Sequence, residues 1–207
     1  DLEDVFGDHP AVLVLTAREL ARRSILEGHA RARPRAGRAR RDLDAPGIVP
    51  EHPLDLVERL LLLRRDPFFG AASLDGVAAL ASAAVEVRRA PGELLWRVGD
   101  PSSSMLAVLA GSVSIRAAHA RTPVRSASGG DRAGELDCIA DEPRRDEAVA
   151  GNGLVALAID RDAMLDAWED HVDLGVEVLR ALGSMLAVSG ADESAEDVSP
   201  RQPVGGA

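Results

Sequence analysis

The chain has no lysine, no tyrosine, one cysteine, and only five aromatic residues among 207. Each shortage excludes something. A lone Cys138 closes no intrachain disulfide, so the fold is not stapled and a reducing compartment is expected. No run of 18 or more apolar residues occurs, so no membrane-spanning segment is expected. With so few rings, a core must be built from Leu, Val, Ile and Ala, and little is available to stack on a ligand base. The missing lysine, beside abundant alanine, reads as coding bias and carries no function. No leader pattern opens the chain, and Asp1 rather than Met points to a longer parent. What is present is a 46% hydrophobic composition, enough for at least one packed domain.

The formal net charge is −10, unevenly spread. Residues 1–50 carry nine Arg against eight acids; residues 51–190 carry 14 Arg against 22 acids; residues 191–207 carry one Arg against four acids. Between Arg18 and Arg41 stand nine Arg and two Glu, a run that could bind phosphates by counterion release. A solvated linker, or a patch facing an acidic partner, is the plainer reading, and nucleic acid is not the expected partner.

Three parts follow. Residues 1–53 read as a helix from about Pro10 to Ala30 and an Arg-rich linker punctuated by Pro34, Gly37, Pro46, Gly47, Pro50 and Pro53. Residues 54–190 read as the folded domain. Residues 191–207, rich in Ser, Gly, Asp and Glu, read as a disordered acidic tail. Within the domain, Leu54, Val57, Leu60 and Leu61 have helical spacing, and Leu74, Val77, Leu80 and Ala81 mark a second short helix. The pattern then changes. Val85–Val87, Leu94–Trp96, Met105–Leu109, Val113–Ile115 and Leu154–Ile159 are strand-like runs, with Pro91-Gly92, Gly99-Asp100 and Gly111 between them. That rhythm predicts a small antiparallel barrel or sandwich. Asp160 caps a helix to about His171, and a last helix follows from Val172 to about Val188.

The ordered elements Pro91-Gly92-Glu93-Leu94-Leu95, Gly99-Asp100, Gly111, Gly130 to Leu136, Glu142-Pro143-Arg144 and Asp160-Arg161 carry a resemblance. Residues 54–190 are similar to a cyclic nucleotide-binding domain of the catabolite activator and protein kinase A regulatory subunit type. The resemblance implies a mainly β fold with flanking helices, the double-stranded β-helix or jelly-roll called a β-roll. It also implies a phosphate-binding cassette over Gly134 to Ala148. There Gly134 would let the backbone approach the ligand, and N–H groups opening a short helix would face the anion. Glu135 would accept from the ribose 2′-hydroxyl. Arg144 would pair with the cyclic phosphate through its planar fork. Leu136, Arg145, Asp146 and Glu147 complete the expected ligand-binding set.

Departures from the family pattern weigh on that cassette. Asp146 and Glu147 stand where the family commonly has Ala and then Thr or Ser. Asp137 stands where it commonly has Ala, and Ala133 where an aromatic is usual. From Gly134 to Glu147 there are six acids and two Arg. A carboxylate roughly 5 Å from a phosphate costs about 3 kcal/mol at an effective dielectric near 20, which is on the order of a hundredfold in affinity. The missing hydroxyl at Glu147 favours cAMP over cGMP.

The expected function is therefore a regulatory ligand-sensing domain, with cAMP its candidate ligand, signalling to an upstream module. The alternative is a degenerate, non-binding domain that serves protein–protein interaction. No helix-turn-helix fits after the last helix. No catalytic constellation, P-loop or His/Cys cluster with ligand spacing is visible, so neither an enzyme nor a metal site is expected. Cys138 is expected to be buried rather than reactive. Leu179, Leu182 and Met185 either cap a base or, as the plainer reading, pack on the barrel. The cytoplasm, or the cytoplasmic part of a membrane-associated protein, is the expected location.

Overall fold

The computed structural model describes residues 2–27, 52–117 and 125–196, with side chains as far as 187. The Arg31–Arg41 run, most of the expected linker and residues 197–207 lie outside the described residues. Four helices come first: α1 (Leu2–Gly7), α2 (Pro10–Leu26), α3 (Leu56–Leu63) and α4 (Leu74–Ala83). The sheet follows, with β1 (Val85–Arg89), β2 (Leu94–Trp96), β3 (Ser104–Ala117), β4 (Arg125–Ser128) and β5 (Arg132–Ala133). A short helix α5 (Glu135–Ala140) interrupts it before β6 (Asp146–Asp160), and α6 (Arg161–Asp170) and α7 (Val172–Glu196) close the fold.

Local chemistry explains the helix starts. Asp55 and Glu58 form a reciprocal capping box at α3, Ser73 caps α4, and the Asp160 carboxylate accepts from Asp162 and Ala163 N–H at α6. Helix α7 runs to Glu196, six residues into the stretch read as a tail.

All strand pairings are antiparallel, in the order β1-β6-β3-β4, with β2 added to β6 and β5 to β3. This is the expected β-roll with flanking helices. Its spine is the pair β3–β6, which is buried on both faces. Met105, Ala107, Leu157 and Ile159 face the helices, while Leu106, Val108, Leu154 and Ala156 face the roll interior. That double burial is why both segments read as unbroken apolar runs.

The two long strands bend where their register shifts, around Val108–Ala110 and Gly111–Val113. Gly111 has φ +75, and a Cβ there would lie 1.6 Å from the Gly153 carbonyl oxygen, so glycine is required for the strands to cross. The sequence reading took Gly111 as a break between two strands. It is a bend within one.

Two cores result. The helical core gathers Phe68, Phe69, Leu80, Trp168, Leu174 and Leu182 with Leu13, Ala17 and Ala21 of α2. The roll core holds Trp96, Leu106, Val113, Ile115 and Leu154 among alanines. Four of the five aromatics sit in the helical core; Trp96 is the roll's one ring. Among the described residues no helix is long and apolar enough to cross a membrane.

Candidate ligand cassette

The cassette is built on one left-handed residue. Gly134 has φ +76 and ψ 13 and caps α5, the helix that carries Glu135, Leu136, Asp137 and Cys138. Asp141, at φ 57, ends the helix in the same conformation. The chain then runs through Glu142-Pro143 to Arg144. The Arg144 N–H donates to the Asp100 carbonyl (2.9 Å) and the Arg144 carbonyl accepts from Gly99 N–H (2.7 Å). The Gly99-Asp100 turn therefore clamps the Arg144 backbone. The Ser102 hydroxyl ties the same stretch by donating toward the Asp137 and Glu142 carbonyls.

Arg144 is the centre of the site, and it is turned inward. Its side chain is 4% exposed. Nη1 donates to the Gly134 carbonyl at 2.8 Å, and Nη2 donates to the Ser104 carbonyl. The guanidinium lies 4.3 Å from the Trp96 ring centroid, and Nε is buried without a partner. Burial pulls this guanidinium below its ordinary pKa, against the raising influence of Asp137 and Glu135. A Cβ on residue 134 would stand 2.2 Å from Arg144 Nη1, so Gly134 is needed for the arginine's position as well as for its own backbone.

Glu135 is also buried, at 4% exposure, and Arg125 Nη2 stands 3.4 Å from its Oε1. Burial alone would raise this carboxyl; Arg125 and Arg132 outweigh it and hold it below its usual value. Arg132 in turn pairs with buried Asp66 and lies 3.7 Å above the Phe68 ring. The Asp66 carboxyl is raised by burial in spite of that partner.

A small cavity of about 30 Å³ lies beside Gly134 and Glu135, and Arg144 is not among the residues that line it. Its lining includes Trp96, Arg125, Glu135, Leu136, Asp137 and Asp146. A water or two fits; a nucleotide pocket is on the order of 300 Å³ or more. Burial pushes the Asp137 carboxyl up to about 6 despite Arg144 and Arg145, and Asp146 adds to the rise. A wider surface groove of about 1030 Å³, walled by residues such as Arg88, Ser112, Ser126 and Asn152, contains no cassette residue.

The structure thus brings together Gly134, Glu135, Leu136, Arg144 and Asp146. It sets Arg145 outside, partly exposed, 3.8 Å from Asp137. It does not bring in Glu147. Ala148 and Ala150 belong to the roll core, so alternation along β6 turns Asp146 to that face and Glu147 to the other. Leu179 and Leu182 pack in the helical core, with Met185 against it, and none of the three lines the cavity. Cys138 is fully buried, and burial pushes its thiol up to about 12, so it is inert as a nucleophile. Sequence reasoning missed Trp96 and Arg125. The signal for Trp96 was present: it is the one aromatic in the roll-forming region, just before the Gly99-Asp100 turn.

Residues 86–171 match the family model described as cyclic nucleotide-binding domain. Solved structures agree on the fold. The N-terminal domain of a transcriptional regulator from Streptomyces coelicolor superposes with a TM-score of 0.57 at 24% identity, over 64% of this chain and 94% of that one. The sensor domain of the transcriptional regulator DNR from Pseudomonas aeruginosa gives 0.55 at 20% identity, over 61% and 92%. The regulatory domain of Toxoplasma gondii PKA, solved with cAMP, gives 0.52 at 18% identity, and this match spans 64% of this chain but 50% of that one. No curated protein matches the sequence.

Proposed function

We propose that this chain carries a regulatory, ligand-sensing domain whose cassette takes cAMP only after Trp96 leaves the face of Arg144. One observation supports this most. Arg144, the residue proposed to pair with the phosphate, lies against Gly134 with its guanidinium already occupied by two carbonyls and a ring. A desolvated cation–π contact is worth roughly 2 kcal/mol, so a ligand that must break it loses about thirtyfold in affinity. Binding then repacks the roll interior, which is the mechanical event a sensor needs. The signal would pass to an upstream module, with the cytoplasm as the setting. Calorimetric titration with cAMP and cGMP tests this reading. Saturable heat with cAMP, weaker with cGMP, supports it; no heat at high micromolar ligand rejects it.

The acids Asp137 and Asp146 in a 30 Å³ cavity favour a second reading, a non-binding domain kept for protein–protein interaction. On that reading the wild type binds no cAMP, and Asp146→Ala with Glu147→Thr creates binding; unaltered affinity means that the acids were not the obstacle.

A further inference from the structure

We propose that the face formed by α5 and α7 is a docking groove for a basic helix, that the chain's own α2 occupies it, and that α2 detaches when the cassette helix shifts.

The fit is specific. Leu13, Ala17, Ala21 and Ile25 recur every four residues along α2 and are all buried. The two alanines let the helix backbone come close. Gly175 on α7 is cut to receive Leu13, because a Cβ there would lie 2.5 Å from Leu13 Cδ2.

Charge then sets the register. Arg18 Nη2 lies 3.4 Å from Asp141 Oδ2, and Arg22 Nε donates to Glu142 Oε1 at 3.0 Å. Arg161, which opens α6, shares the Asp141 carboxylate. Asp141 and Glu142 are the residues that join the cassette helix to Pro143-Arg144. The Glu142 carbonyl is also held by the Ser102 hydroxyl at 2.6 Å. Helix α5 therefore cannot move without carrying off the two acids that α2 grips.

The same interface is built to release. The four paired side chains are between 30% and 45% exposed, so water competes for each ion pair. The Ser24 hydroxyl and Arg18 Nε are buried there without partners, a cost that undocking removes.

The test is amide hydrogen exchange on the full chain carrying Arg18→Glu with Arg22→Glu. Exchange at residues 13–25 and 135–140 is expected to rise at least tenfold, with amides of residues 106, 108 and 156 unchanged. Adding Asp141→Arg and Glu142→Arg should restore protection. Unchanged α2 exchange overturns the proposal. So does loss of protection in α2 and the roll together, which would make α2 part of one cooperative unit. Sedimentation provides a third outcome: a wild-type dimer that dissociates in the variant assigns the groove to a second copy's α2 and overturns the intramolecular form. None of these readouts requires cAMP, so failure here is distinct from failure of the sensing proposal.

Discussion

Arg144 and Trp96 form a closed pair: the guanidinium stands 4.3 Å from the indole ring centroid while its Nη atoms donate to the Gly134 and Ser104 carbonyls. The residue expected to hold a phosphate is thereby committed to its own fold. The following expectations come from that arrangement and from its surroundings.

Trp96→Leu should open the roll interior. Truncating a buried aromatic costs about 2–4 kcal/mol in stability, read from urea denaturation midpoints. The freed face of Arg144 should raise cAMP affinity at least tenfold in the same preparation.

Asp146→Ala and Glu147→Thr should behave differently. Only Asp146 lines the cavity. Its removal should tighten cAMP binding by about ten- to a hundredfold, given a Coulomb cost of about 3 kcal/mol at roughly 5 Å. Glu147→Thr alone should stay within about twofold. Calorimetry on the two single variants distinguishes them.

Asp137 makes the domain pH-sensitive near 6. Its folded pKa is raised from 3.8 to about 6, chiefly by burial. The stability tied to this raised value is fully present below pH 3.8 and is lost as pH rises through about 6. Its size is at most about 3 kcal/mol, from a shift near two units. Asp137→Asn should abolish that slope between pH 4.5 and 7 in denaturation midpoints. Neutralising the carboxyl also removes a negative charge from the cavity, so cAMP affinity should rise as pH falls through 6 in the wild type and stay flat in the variant.

Gly134→Ala should be severe. It places a Cβ 2.2 Å from Arg144 Nη1 at a backbone φ of +76. A loss of about 2–4 kcal/mol is expected from combined strain and displacement of the arginine. Thermal melting followed by circular dichroism checks it.

Much of this fold was legible in the sequence, and the exceptions are instructive. The glycine punctuation located the strands, but Gly111 was read as an end because sequence does not show which backbone it approaches. Strand β4, Arg125-Ser126-Ala127-Ser128, has no β-branched residue and was missed; only pairing with Ser112 to Ile115 makes it a strand. In the cassette, Glu135 and Arg144 were expected from the family resemblance, and the structure shows both buried. Arg125 was missed because it reaches Glu135 from another strand. The separate fates of Asp146 and Glu147 follow from alternation with Ala148 and Ala150, once the register of β6 is known.

The most direct measurement is cAMP titration calorimetry on wild type and Trp96→Leu side by side. Weak, saturable binding in the wild type and binding at least tenfold tighter in the variant is the expected result. Equal affinity in the two, or no heat in either, would contradict a cassette that is intact but closed by Trp96.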